Sequence, residues 1–287
     1  MNNRFSNVLV YAMNVLILDN DECLGSFGFI SGMYENLIGQ HFLMRKLNEF
    51  DKERRVEEKL FINFAIECLN AGFGRPGLKE FFRMIKDFKE KQLIHCVIMY
   101  TSAARNNAPE EKPYLNWVGT LRKIFETSVS HYKPHIMLYD YDHSGRSDEN
   151  PPRMSEDGAT QKSVDVVLER LGIKPERVRS VIFIDDRPQN IWKWDEKKLV
   201  RLGVEAYYYL PEKAVLQKIC AKYDPLFEKC GLFTPSRFLD DAYNEEVEDM
   251  RSENKTIGGP PQDNDYLSEE QIKELAEALF EPEDADT

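Results

Sequence analysis

The sequence predicts an α/β fold of three-layer, Rossmann-like form, with a mainly parallel central sheet covered by helices on both faces. Three observations predict it. Short apolar runs, each the length of a buried strand, recur along the chain. Stretches of helical period lie between them, which is the pattern of a parallel sheet with crossover helices. Most of the runs stop at carboxylates or hydroxyls, and the carboxyl ends of parallel strands are where such sheets gather their working groups.

The elements follow in chain order. The first run, 15–18, ends on Asp19-Asn20-Asp21. Its upstream extension from Val8 is interrupted by Asn14, so it falls short of the roughly 18 residues of a membrane span, and no small-residue cleavage site marks it as a secretory signal. Residues 26–74 are too long for a plain crossover. Ile30, Met33, Tyr34, Leu37 and Ile38 repeat at helical spacing, as do Leu60, Phe61, Phe64, Cys68 and Leu69, with the charged run 51–59 between them. We expect a helical insert over the mouth of the crevice; two more packed helices with no part in the site are the plainer alternative. After Arg75-Pro76-Gly77, the residues Leu78, Phe81, Phe82, Ile85 and Phe88 mark a helix leading to the run 93–100, which ends on Thr101-Ser102. The run 136–139 precedes Asp140-Tyr141-Asp142. Val164, Val167, Leu168 and Leu171 predict a helix over 163–171, stopped by Gly172. The run 181–184 ends on Asp185-Asp186, and a last strand is expected at 204–209.

Charge divides the chain at about residue 232. Residues 1–232, the expected domain, hold 34 basic and 33 acidic residues; 233–287 hold 4 and 17, so the net charge of −12 belongs to the tail. A domain this balanced has no bulk electrostatic reason to bind nucleic acid. The acidic composition of 233–287, with Gly258-Gly259-Pro260-Pro261, predicts a tail largely without regular structure. Within it, 268–280 reads as an amphipathic helix. Ser268 and Gln271 form a capping box, Leu267 and Ile272 a staple, and Ile272, Leu275, Ala276, Leu279 and Phe280 an apolar face. That face would dock on a protein partner or back on the domain. The cysteines, Cys23, Cys68, Cys96, Cys220 and Cys230, are scattered without zinc-ligand spacing, as expected of free thiols in a reducing, intracellular compartment, cytoplasmic or nuclear.

Two carboxylates two residues apart after a strand suit phosphoryl transfer. Asp19 can attack phosphorus while Asp21 handles the proton on the leaving oxygen. Phosphate and carboxylates repel one another without a cation, so a hard ion with oxygen ligands, Mg²⁺, is expected, with Asp185 or Asp186 completing its ligand set. Thr101 and Ser102 stand where donors to the phosphate oxygens are needed, and Lys162 supplies a fixed positive charge.

Taken together, Asp19-Asn20-Asp21-Glu22, Thr101, Lys162 and Asp185-Asp186 resemble, in order and context, the four motifs of the haloacid dehalogenase superfamily of phosphatases. Lys162 lies 23 residues before Asp185, a usual separation there. The resemblance covers roughly residues 13–212. Asp19-Asn20-Asp21-Glu22-Cys23-Leu24, Arg75-Pro76-Gly77-Leu78-Lys79-Glu80-Phe81-Phe82, Tyr100-Thr101-Ser102-Ala103 and Ile184-Asp185-Asp186-Arg187-Pro188 look like its RNA polymerase II C-terminal-domain phosphatase branch, which dephosphorylates serine and threonine in proteins. The resemblance implies Asp19 as nucleophile, Asp21 as general acid and base, and Thr101 and Lys162 as phosphate ligands. It also implies Asp186 as direct metal ligand, Asp185 in its outer shell or coordinating, and Asp21 contributing its backbone carbonyl. Two departures stand out. Cys23 replaces the usual threonine or serine, and the insert 26–74 reads as helical where that branch has a short β-rich one.

The expected function is therefore Mg²⁺-dependent phosphomonoester hydrolysis, with a phosphoprotein or a small phosphoester as substrate. A protein of the same fold that binds phosphorylated partners without cleaving them is the alternative from another class; transfer of the phosphoryl group to a sugar is a third. Other signals carry less. Asp140-Tyr141-Asp142-His143-Ser144-Gly145 begins like a calcium loop but has Pro151 at the twelfth position, where a bidentate glutamate belongs. The histidines His95, His131, His135 and His143 lack metal-ligand spacing, and Trp192 and Trp194 read as sheet packing.

Overall fold

The computed structural model describes residues 12–39, 50–100, 117–128, 138–141, 162–191, 194–252 and 268–280. Five strands, β1 (Met13–Leu18), β2 (Cys96–Tyr100), β3 (Leu138–Tyr141), β4 (Val178–Asp185) and β5 (Leu199–Gly203), form one sheet in the order β3-β2-β1-β4-β5. Every pairing in it is parallel. The central strands β1, β2 and β4 are buried almost throughout, which is why they read as continuous apolar runs without alternation.

Eight helices surround the sheet among the described residues. They are α1 (Gly28–Tyr34), α2 (Phe50–Cys68), α3 (Leu78–Glu90), α4 (Trp117–Ser128), α5 (Val164–Arg170), α6 (Lys213–Lys229), α7 (Pro235–Ser252) and α8 (Glu269–Phe280). Side chains alternate across a strand, so β1 sends Val15 and Ile17 to one face and Leu16 and Leu18 to the other. The first face is covered by α5 through Val164, Val167 and Leu168. The second carries the larger core, to which the other seven helices contribute.

The insert is helical, as its periodicity predicts, and it is part of that core. Phe29, Ile30 and Met33 of α1 and Phe61, Phe64 and Cys68 of α2 are buried in the same apolar cluster as Leu16 and Leu18. A fully buried Phe or Leu contributes on the order of 1.5–3 kcal/mol, so the insert is a large share of the domain's stability. Its two ends meet: Gly25 bridges Gly74 in antiparallel fashion, and Ser26 N donates to Phe73 O at 2.8 Å. This pairing brings the insert's root beside the turn that carries Asp19 and Asp21. Gly25 has no room for a side chain, since a Cβ would lie 2.5 Å from Phe73 O.

Two expectations are corrected. The last strand is β5, Leu199–Gly203, rather than 204–209. Arg201 breaks the apolar run of this edge strand and pairs with Glu196 at 2.6 Å, whereas 204–209 leaves the ladder: Tyr207 N donates to Glu22 O at 2.7 Å. The tail, expected to be largely without regular structure, forms the 18-residue helix α7 over Pro235–Ser252, which packs on α1 and α6. Phe238, Leu239, Ala242 and Met250 lie at helical spacing and are buried, an apolar stripe that outweighs the helix's acidic residues, of which Glu246 is buried beside it. Thr234-Pro235 is also a helix-start pair, with proline where its missing N–H costs nothing.

The helix expected at 268–280 is present as α8. Its capping box is formed: Gln271 N donates to Ser268 Oγ at 3.2 Å and Ser268 N to Gln271 Oε1 at 2.9 Å. Leu275 and Leu279 are buried in the core, and Gln271 Nε2 donates to Gly203 O, so the helix docks back on the domain. Leu267 lies outside the described residues. No helix among the described residues is long and apolar enough to cross a membrane.

Candidate active site

The site follows from sheet register. Leu18 pairs with Met99 on one side and Ile184 on the other, so the next residues, Tyr100, Asp19 and Asp185, stand side by side at the carboxyl edge. Leu18, Met99 and Ile184 belong to the larger core, so these three successors fall on the opposite face, the one α5 covers. Lys162 sits two residues before α5 begins and therefore meets them. Its segment is fixed on both sides, by a parallel bridge to Ile191 and by Ser163 N donating to Tyr100 Oη at 3.1 Å.

The result is a buried ionic cluster. Lys162 is 4% exposed, Asp19 6% and Asp185 1%. Lys162 Nζ pairs with Asp19 Oδ1 and lies 2.8 Å from Asp185 Oδ2. Asp185 Oδ1 accepts from Arg187 N at 2.7 Å, and Asp19 N donates to Ile184 O at 2.9 Å. Burial would push the Lys162 ammonium down, but Asp19 and Asp185 outweigh it and hold it above the usual lysine range. Burial raises Asp19 well above the ordinary carboxylate range, against the pull of Lys162 and with the push of Asp185. Burial and the neighbouring Asp185 raise Asp186 as well.

One carboxylate oxygen from each of Asp19, Asp185 and Asp186 lies within 4.8 Å of the others. Three carboxylates against one buried ammonium leave an excess of two negative charges. Asp186 Oδ2 is buried and accepts no hydrogen bond; the guanidinium of the half-exposed Arg187 has its Nε 3.4 Å away. An all-oxygen donor set with surplus negative charge, one of whose buried carboxylate oxygens accepts no hydrogen bond, fits a hard divalent ion such as Mg²⁺.

Asp21 sits at the edge of this cluster, with Asn20 Nδ2 donating to Asp21 Oδ1 at 3.4 Å, and its carboxylate is not one of the three grouped oxygens. Thr101 and Ser102 lie outside the described residues, as do Asp142, His143 and Trp192. Cys23 is buried and its thiol contacts Ile184 O at 3.7 Å, so it braces the loop that carries Asp19 against β4. His95 accepts from Asn14 N through Nδ1 at 3.1 Å, and Trp194 donates to Asp165 at 2.8 Å; both are structural. Two arginines clamp the loop that carries Asp19, through Glu22. Arg187 Nη2 pairs with Glu22 Oε2 at 3.2 Å, and Arg75 Nη2 donates to Glu22 O at 2.8 Å. Their only signal in the sequence was the placement of Arg75 and Arg187 inside motif-like segments.

No protein-family model matches the chain, and no curated protein does. Among solved structures, a HAD-superfamily hydrolase of subfamily IA, variant 1, from Geobacter sulfurreducens is similar over 61% of this chain and 80% of its own, at 17% identity and a TM-score of 0.27.

Proposed function

We propose that the chain is a Mg²⁺-dependent phosphomonoester hydrolase of haloacid dehalogenase type, working through an aspartyl-phosphate on Asp19. The observation that carries this reading is the buried cluster of Asp19, Asp185 and Asp186 around Lys162 at the carboxyl edge of a parallel sheet. In the proposed reaction an Asp19 oxygen attacks phosphorus and the bond to the leaving oxygen breaks, with Asp21 donating the proton that oxygen needs. Water then attacks the phosphorus of the aspartyl-phosphate, Asp21 takes its proton, and inorganic phosphate leaves with Asp19 restored. Lys162 holds Asp19 in place and offsets negative charge as it develops on the phosphoryl oxygens. Thr101 and Ser102 are the proposed donors to those oxygens. Asp19, Asp185 and Asp186, with the Asp21 carbonyl, would hold Mg²⁺, which supplies Lewis-acid neutralisation of the phosphate when bound.

The resemblance to the C-terminal-domain phosphatase branch favours phosphoserine or phosphothreonine in a protein as substrate. The helical insert packed into the core, in place of a short β-rich one, favours a small phosphate ester instead. A panel of phosphopeptides, nucleotides and sugar phosphates assayed with and without Mg²⁺ separates the two. Asp19→Asn should abolish turnover. If Asp19→Asn and Asp21→Asn both kept full Mg²⁺-dependent hydrolysis of an aryl phosphate, the mechanism is wrong.

A further inference from the structure

Glu22, immediately after Asp21, has φ of 63°, a left-handed conformation that a non-glycine side chain rarely adopts. Such a conformation persists only where its surroundings hold it. Here the Glu22 carbonyl accepts two hydrogen bonds, from Tyr207 N at 2.7 Å and from Arg75 Nη2 at 2.8 Å. The same Arg75 nitrogen donates to Glu205 O, and the guanidinium lies 5.3 Å from the centre of the Tyr207 ring. Arg75 N also donates to Leu24 O at 3.1 Å, while Tyr207 Oη donates to Gly72 O at 2.6 Å. One arginine thus joins three segments: the turn 20–25, the end of the helical insert, and the chain leaving β5. Inside the turn, Glu22 N donates to Gly25 O at 2.8 Å and Leu24 N to Asn20 O at 2.9 Å, so its geometry is cooperative and depends on the conformation at Glu22.

We infer that Arg75 is a positioning residue: by holding the Glu22 carbonyl it fixes the turn that presents the Asp21 carboxylate to the leaving oxygen. The inference rests on the proposed reading of Asp21 as the group that moves the proton. One guanidinium nitrogen reaches both carbonyls while the planar group lies against the Tyr207 ring, a combination that a lysine ammonium does not reproduce. Arg75 itself touches no reacting atom.

The test compares two phosphate monoesters, a dinitrophenyl ester whose leaving group needs no proton and an alkyl ester whose leaving group does. In Arg75→Ala, kcat/KM for the alkyl ester should fall about tenfold to a hundredfold, part of the contribution a positioned general acid makes, while the dinitrophenyl ester loses less than about threefold. Hydrogen exchange provides an arm independent of turnover. The Glu22 and Leu24 amides should exchange at least about tenfold faster in the variant, with the β2 amides unchanged. Where Arg75→Ala does not fold, the same split is read on Arg75→Lys, which keeps the charge without the planar guanidinium. Equal loss on both esters, no loss on either, or unchanged exchange in the turn overturns the inference. A wild-type protein that cleaves neither ester overturns the hydrolase reading instead, and the exchange result still stands by itself.

Discussion

Replacing Lys162 by Met would remove the buried cation that Asp19 and Asp185 share while keeping the volume. Lys162 is 4% exposed and contacts both Asp19 and Asp185, so the substitution leaves buried carboxylates without their partner. Breaking a buried pair from one side typically costs about 3–5 kcal/mol. At about 2–4 °C per kcal/mol for chains of 150–250 residues, and somewhat less at 287, the melting temperature should drop by roughly 5–15 °C in the absence of divalent ions. The sign of the effect is testable by a cycle: adding Asp19→Asn to Lys162→Met removes a stranded charge and should raise stability by on the order of 1–3 kcal/mol. Mg²⁺ should also stabilise Lys162→Met more than wild type, because it offsets the same excess charge. Thermal unfolding of the four proteins, with chelator and with Mg²⁺, reads all three effects. A Lys162→Met protein melting within about 2 °C of wild type, or a double variant less stable than the single, refutes the charge account.

Two further predictions concern the frame of the site. Leu239 on α7 is buried, and Leu239→Ala should cost about 2–5 kcal/mol in chemical denaturation; removing 233–287 without lowering stability would mean that α7 does not belong to the core. Burial lowers the His95 imidazole below its usual 6.5, so the unfolded chain takes up the proton more readily than the folded one. Its contribution is therefore present above about pH 6.5 and lost as pH falls through the folded value. His95→Gln should flatten that part of the stability profile between about pH 7 and pH 5, and an unchanged slope would show that His95 does not titrate differently on folding.

How much of this was legible depended on whether the signal was local. The strands β1, β2 and β4 are buried on both faces, so apolar runs ending in polar residues expose them, and Asp19 and Asp185 stand out at those ends; Lys162 ends no strand and is singled out only by the fixed positive charge a phosphoryl site needs and by the family resemblance. That they contact one another was not readable from the chain; it follows from the register of β1 against β4 and from the anchoring of Ser163 to Tyr100. β5 was misplaced because Arg201 interrupts an edge strand, where a charge is tolerated. Bulk acidity hides the helix α7, although the stripe Phe238, Leu239, Ala242 and Met250 is present in the sequence and periodicity, not composition, decides burial. The capping box at Ser268 was read correctly because both of its partners lie within one turn. Arg75 and Tyr207 were invisible as partners of Glu22, since their contacts span 53 and more than 180 residues and are made to backbone atoms that no sequence pattern encodes.

The claim on which the rest depends is that Asp19 becomes covalently phosphorylated. Wild type and Asp21→Asn, mixed with a dinitrophenyl phosphate and Mg²⁺ and quenched in acid, can be digested and weighed by mass spectrometry. The account predicts a phosphoryl adduct on the peptide carrying Asp19, accumulating further in Asp21→Asn because the second step lacks its base, and absent in Asp19→Asn. Rapid hydrolysis by the wild type with no adduct in either protein, or an adduct that survives Asp19→Asn, would contradict it.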